Sequence, residues 1–202
     1  MGNSDPEPQA EEKPLINIVG VKVALGPFHR GMLPLLSKWD NDFGVALLSG
    51  DPLRPVMKEL TETYYERNSK EEQHNRVQFA IYEQATLRPI GLTDLRRIDN
   101  KDRNAEFGIL IGEKDCWDKG FGTEATILML DYGFTILGLH NIILETYSYN
   151  ERAIKAYTRA GFRIVGRRRE SHRWGNKLYD DVIMDCLSTE FHNPIKPVLE
   201  LP

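Results

Sequence analysis

Residues 106–127 restrict the architecture more than any other stretch, because the hydrophobic period changes inside them. Glu106-Phe107-Gly108-Ile109-Leu110-Ile111-Gly112 reads as a strand, and Asp118-Lys119-Gly120-Phe121-Gly122-Thr123-Glu124-Ala125 reads as a glycine-rich turn that opens an apolar helix. Small residues at Gly120 and Gly122 let the backbone curl so that several N–H groups face one point. The following helix adds its own unpaired N–H groups and the positive end of its dipole. Such a turn can cradle a pyrophosphate, with Lys119 as a mobile positive charge beside it; the same glycines also serve as an ordinary turn and cap. The stretch has neither the Gly-Lys-Ser/Thr ending of a nucleotide P-loop nor the spacing of a dinucleotide fingerprint, which argues against ATP and NAD.

The elements around this stretch place it in a mixed sheet. Ile16 to Leu25 reads as a first strand ended by Pro27. His29 to Trp39 and Met57 to Asn68 read as helices, with Pro34 inside the first and a turn-rich loop from Gly50 to Pro55 between them. Val77–Tyr82, Arg88–Ile98 and Ala105–Ile111 form an antiparallel meander, with a bulge or turn point at Gly91 and a polar hairpin loop over Asp99–Asn104. Thr123–Leu137 is the longest helix and Gly138 stops it. Asn141–Tyr147 is a strand of buried type, and Asn150–Ala160 a short helix closed by Gly161. Phe162–Arg169 and Leu178–Leu187 are the last strands, turned at Arg173–Asn176. The order β-α-α-βββ-α-β-α-ββ gives an α+β fold. Its central sheet has about seven strands, mostly antiparallel, with one pair joined by a crossover helix.

Composition excludes several classes. At 202 residues with 41% hydrophobic and 28% charged content, the chain suits one globular domain. A net charge of −4 leaves no electrostatic footprint for nucleic acid and mildly favours cationic substrates. No apolar stretch is long enough for a membrane span, the N-terminus is polar and acidic, and two cysteines make no disulfide framework. The expected compartment is the cytoplasm. Residues 1–14 read as a flexible acidic tail, 15–190 as the domain and 191–202 as a surface tail. His29 and His74 have no second ligand at helical spacing, and no metal site is expected. Cys116 reads as packing.

Two separated stretches carry a resemblance to a known family. Trp117-Asp118-Lys119-Gly120-Phe121-Gly122-Thr123-Glu124-Ala125 resembles the pyrophosphate loop of the GNAT superfamily of acetyl-CoA-dependent N-acetyltransferases. Asn150-Glu151-Arg152-Ala153-Ile154-Lys155-Ala156-Tyr157-Thr158-Arg159-Ala160-Gly161-Phe162 resembles that family's Asn-x-x-Ala-x-x-x-Tyr-x-x-x-Gly-Phe element. Glu106 and the ending Arg167–Asp181 are most similar to the RimJ/RimL-type branch, which modifies protein N-termini and assorted small amines. The chain departs from the family at Trp117, where Gln or Arg is frequent; the basic contribution then falls to Lys119.

The resemblance implies acetyl-CoA as donor, held by Phe107, Gly108, Ile109, Leu110 and Ile111 along a free strand edge, by Lys119, Gly120, Phe121, Gly122 and Thr123 at the loop, and by Asn150, Ala153 and Tyr157. A backbone N–H within Gly108–Leu110 would stabilise the oxyanion, and Gly108 and Gly112 would mark where the strand bends away from Asn141–Tyr147. Glu106 is implied as the base that takes a proton from the amine, against a reading as a solvated strand-end carboxylate. Tyr157 is implied as the acid that protonates the CoA sulfur, against a reading as core packing. Asn150 is also an N-cap candidate. Arg167-Arg168-Arg169 and His172-Arg173 read as a solvated strand end, or as a binding site for the 3′-phosphate of CoA or an acidic substrate.

The acceptor is expected to be a protein N-terminus, a polyamine, an amino acid or an aminoglycoside-like amine, held by residues 29–75, the loop at 99–104 and 169–178. Asp40, Asp42 and Asp94 would favour a cation if they face the cleft. A domain that binds acyl-CoA without turnover is the alternative, and a longer acyl chain is left open. If the chain oligomerises, a homodimer is the commonest form.

Overall fold

The computed structural model describes residues 13–49, 53–195 and 197–198. The expected acidic tail lies outside the described residues as far as position 12, as do positions 50–52 of the expected turn loop and the end of the chain. Eight strands form one sheet: β1 (Ile18–Val19), β2 (Val23–Pro27), β3 (Arg76–Glu83), β4 (Pro89–Asp99), β5 (Asn104–Ile111), β6 (Asn141–Tyr147), β7 (Arg163–Trp174) and β8 (Lys177–Leu187), in the order β1-β2-β3-β4-β5-β6-β8-β7. Every neighbouring pair is antiparallel except β5 and β6. Five helices flank the sheet: α1 (Leu33–Asp40), α2 (Phe43–Ser49), α3 (Lys58–Asn75), α4 (Phe121–Asp131) and α5 (Glu151–Ala160).

The expected first strand is two. A turn at Gly20 splits it, closed by Gly20 N–H donating to the Val23 carbonyl at 2.8 Å. The buried Glu124 carboxylate accepts from the N–H groups of Lys22 and Val23 at 2.6 and 3.1 Å, so a residue on α4 fixes this hairpin. Helix α2 was not foreseen; Asp42 starts it by accepting from Gly44 N–H at 2.9 Å. The expected bulge beside Gly91 is present, where the β3–β4 register shifts between Ile81 and Tyr82. Gly108 does not bend its strand, since the β4–β5 register runs unbroken from Gly91↔Ile111 to Arg96↔Glu106. It leaves room for Asp94, whose Oδ1 would stand 2.4 Å from an added Cβ.

Two cores lie on opposite faces of the sheet. Helix α4 is buried along nearly its whole length and, with α5, covers the face formed by Leu95, Ala105, Phe107, Ile142 and Leu144. A helix apolar on all sides is a central one. Leu128, Met129 and Leu130, each fully buried, contribute roughly 1.5–3 kcal/mol apiece. Met32, Leu36, Trp39 and Val45 cover the other face over Ala24, Ala80, Tyr82 and Leu92. Near the C-terminus, Phe191, Ile195 and Val198 pack against the α4 side, and Val198 N–H donates to Asp131 at 2.6 Å.

The break that matters lies between β5 and β6. They pair only over Asn104↔Asn141, Ala105↔Ile142 and Glu106↔Ile143. Beyond Glu106 the strands part, while β6 continues with β8 to Tyr147↔Asp181. Phe107–Ile111 therefore keeps an open backbone edge toward β6.

Candidate active site

Two cavities flank this opening. The first, about 460 Å³, runs from Ile109, Leu110 and Ile111 to Gly120, Gly122 and Thr123 at the start of α4, and along Asn150, Ala153, Ala156 and Tyr157 of α5. Gly120 adopts φ +86°, a left-handed conformation that an L side chain would strain, and Asp118 is also left-handed at φ +60°. The first closed turn of α4 is Glu124 N–H to Gly120 carbonyl at 3.0 Å. The N–H groups ahead of it have no intrahelical partner, and no side chain caps this helix. The N-terminus of α5 is capped: Asn150 accepts from Ala153 N–H at 3.2 Å and donates to the Leu48 carbonyl at 3.4 Å, linking α5 to α2.

The side chains sort differently from the sequence expectation. Phe107 and Phe121 are buried in the core, so only their backbone groups are available to a ligand. Lys119 is exposed and does not line this cavity; its carbonyl accepts from Lys22 Nζ at 2.9 Å. The basic groups that do line it are Arg152, Lys155 and Arg159, three residues on one side of α5. The Arg152 guanidinium stacks 3.7 Å from the centre of the Trp117 ring, whose Nε1–H donates to the Ile111 carbonyl at 2.8 Å. Trp117 is thus a platform that holds the Arg152 cation beside the loop. Cys116 also lines this cavity, with burial pushing its thiol pKa up.

The second cavity, about 790 Å³, opens on the α1–α3 face. It shares Leu48, Ser49, Ile109, Leu110 and Tyr157 with the first. Tyr157 is half-buried, with Phe107 and Phe162 edge-on to its ring at 6.1 and 6.0 Å. Burial pushes its phenol up to about 12, and its hydroxyl has no hydrogen-bond partner among the described residues.

Carboxylates line the second cavity, but guanidinium groups already meet most of them. Asp94, buried, takes Arg76 at 2.7 Å, and Arg76 also donates to the Tyr64 hydroxyl at 2.9 Å. Glu106 takes Arg96 on one oxygen, with Nε at 3.0 Å, and Arg97 on the other at 2.5 Å. It is therefore not a solvated strand end. Asp181, buried, takes Arg168 on one oxygen and His172 Nε2 on the other at 2.5 Å. Arg168 and His172, read from sequence as part of a strand-end basic cluster, thus stand in the wall of the second cavity and away from the first. His172 meets Tyr147 edge-on at 4.3 Å, and Tyr147 stacks on Tyr149 at 5.0 Å. Burial, aided by neighbouring tyrosines, raises the Tyr149 phenol to about 12. Asp42 lies outside this cavity, paired with Lys114 at 2.6 Å, which lowers its pKa. Among the described residues no group of side chains is arranged to hold a metal ion, and no helix is long and apolar enough to cross a membrane.

A splayed β5/β6 pair, a bare helix start aimed into one cavity and a tyrosine reaching both define a transferase that works on a thioester carried by a phosphorylated cofactor. Residues 25–163 match the family model for the acetyltransferase (GNAT) domain, and the chain belongs to that family. The spermidine N(1)-acetyltransferase of Escherichia coli is 31% identical over 152 residues, covering 71% of this chain and 74% of that protein. The spermidine N-acetyltransferase of Vibrio cholerae, solved with CoA and spermine, superposes with a TM-score of 0.75 at 26% identity, covering 84% of this chain and 97% of that one. An uncharacterized N-acetyltransferase, p20, of Bacillus licheniformis is 32% identical over 123 residues, 61% of this chain and 67% of that protein. The chain is an N-acetyltransferase with acetyl-CoA as donor and a primary amine as acceptor.

Proposed function

We propose that acetyl-CoA occupies the first cavity and the amine enters through the second, so that the two meet at Tyr157. The observation that carries this reading is the shared wall of the two cavities at the point where β5 leaves β6. The diphosphate sits on the N–H groups of Gly120, Phe121, Gly122 and Thr123, with Arg152 in the place expected of Lys119. The pantetheine runs along the open edge of Phe107, Gly108, Ile109, Leu110 and Ile111 as an added strand, and packs on Asn150 and Ala153.

In the reaction the ammonium first sheds a proton to solvent water in the open second cavity, since only a neutral amine has a lone pair to attack with. Attack forms the C–N bond and a tetrahedral oxyanion, which a strand N–H within Gly108–Leu110 stabilises. The C–S bond then breaks, and Tyr157 donates its proton to the departing thiolate. The phenolate left behind takes the second proton from the nitrogen as the amide forms. A buried phenol at about 12 stays protonated at neutral pH, and the same desolvation raises the thiolate's affinity for a proton. Glu106 is poorly suited to receive the first proton, because two guanidinium groups compete for both of its oxygens. We assign it to fixing Arg96 in the cavity wall.

Glu106 and the ending Arg167–Asp181 support the RimJ/RimL-type branch, and two buried unpaired cysteines support a reducing cytoplasm. We take 15–190 as the catalytic domain, with Phe191, Ile195 and Val198 of the expected C-terminal tail packed back onto it, a homodimer as the oligomer to test for, and a small primary amine, the class of the spermidine-acetylating relatives, over a protein N-terminus. The test is release of free thiol from acetyl-CoA with a panel of primary amines. Thiol release that depends on the amine supports the reading; tight CoA binding with no release for any amine favours a domain that only binds.

A further inference from the structure

The second cavity offers far fewer open positions for cations than its count of acidic residues suggests. Asp94, Glu106 and Asp181 each hold guanidinium groups, and Asp40 is engaged as well. Glu145 differs: among the described residues its carboxylate has no ion pair or hydrogen bond, although it lines the same cavity as Gly108, Leu110 and Tyr157. Its place on β6 is set by register. The last β5–β6 pair is Glu106↔Ile143, so Glu145 stands across the opening from Gly108, two residues beyond the point where pairing stops. Ile142 and Leu144 are buried on the α4 side, which leaves the alternating Glu145 and Tyr147 on the cavity side.

Resting on the acceptor reading above, we propose that Glu145 is the docking carboxylate for the reacting ammonium and that the cavity selects amines with a single positive charge and a neutral, hydrogen-bonding body. A second ammonium carried deeper would meet Arg76 beside Asp94, Arg96 beside Glu106 or Arg168 beside Asp181, and Asp40 is already engaged. Holding it there means displacing a bound guanidinium, or burying a charge with no partner. The far wall is instead furnished with neutral groups: Thr61 Oγ1 and Gln78 Oε1 are buried there without partners, next to the Tyr64 hydroxyl. This selection separates the chain from its spermidine-acetylating relatives, whose named substrate carries several ammonium groups.

A matched pair of acceptors tests it: 4-amino-1-butanol and 1,4-diaminobutane have the same length and differ in one terminal group. Each is titrated into the CoA-loaded protein by NMR, with wild type and Glu145→Gln, and thiol release from acetyl-CoA is followed in parallel. The aminoalcohol is expected to bind roughly tenfold more tightly than the diamine, and Glu145→Gln to weaken it roughly tenfold, with CoA affinity unchanged. Arg96→Met, which frees one oxygen of the Glu106 carboxylate, is expected to shift the preference toward the diamine. Equal or tighter binding of the diamine by wild type, or an unchanged Glu145→Gln variant, overturns the proposal. Bound amine without thiol release counts against the transfer reading and leaves the docking assignment standing. A short neutral peptide with a free N-terminus presents the same single ammonium on a longer body; whichever of peptide and aminoalcohol binds better identifies the source of that chemistry.

Discussion

The two cavities on either side of the β5–β6 opening are built by different means. The donor side is assembled from main chain: a bare helix start, a left-handed glycine and an unpaired strand edge. The proposed acceptor side is assembled from side-chain charge, with buried or half-buried carboxylates held by arginines drawn from β3, β4 and β7. Main-chain recognition follows from a local motif and tolerates changes such as Trp117. Side-chain recognition depends on which distant residues the sheet brings together, so one or two substitutions can redirect it. A family can therefore keep one donor while its acceptors diverge.

The sharpest way to break this contrast is at the residue common to both sides. Tyr157→Phe is expected to lower kcat about 10²- to 10³-fold while leaving the KM for acetyl-CoA within about twofold. Glu106→Gln should cost less than about tenfold in the same steady-state assay. A larger loss for Glu106→Gln than for Tyr157→Phe would reverse the roles assigned above. On the donor side, Gly120→Val forces a β-branched side chain into a left-handed position, with its Cβ 3.0 Å from Lys22 Nζ. A backbone penalty of about 1–2 kcal/mol is expected to weaken CoA binding about tenfold by calorimetry and to lower Tm. An unchanged affinity would mean that the curl does not grip the cofactor. Smaller still, Arg152→Ala should weaken CoA roughly three- to tenfold in a salt-dependent way, with Lys119→Ala within about twofold; the opposite ranking would restore Lys119 as the cationic contact.

A separate expected effect is on stability at alkaline pH. Burial raises Tyr157, Tyr149 and Cys186 each to about 12 in the folded protein, from ordinary values of 10 for the phenols and 9 for the thiol. Between the ordinary and the raised values the unfolded chain has already lost protons that the native state retains. Stability must therefore fall as pH rises from about 9 toward 12. Urea melts across that range should show the decline. Tyr157→Phe should flatten it above pH 10, because it removes one of the groups that titrate on unfolding.

Much of the sheet was legible because its signals are local. The strand over Asn141–Tyr147 and the helix between Asn150 and Gly161 fall where the periodicity places them, and the crossover that makes β5 and β6 parallel follows from element order. Distant contacts were not legible. The split of the first strand at Gly20 depends on Glu124, about a hundred positions away, and nothing between Ile16 and Leu25 announces it. Helix α2 did carry a signal, since Asp42 is a good N-cap, but the acidic run Asp40-Asn41-Asp42 reads equally well as the end of the preceding helix. In the proposed donor site the motif glycines and Tyr157 could be marked as candidates from sequence and do line the first cavity, whereas Arg152 as a candidate needed the ring of Trp117 to be seen beneath it. In the acceptor site, Glu145 shows only as an alternating polar position on a strand, and the charge matching that singles it out exists only once the arginines are in place.

Leu48, Ser49, Ile109, Leu110 and Tyr157 serve as one partition between two chambers. With such a partition each substrate completes the surface on which the other reacts, and no covalent intermediate has to carry the acetyl group between them. Initial velocities measured over a grid of both concentrations should then give double-reciprocal lines that converge, the pattern of a ternary complex, instead of the parallel set of a ping-pong exchange.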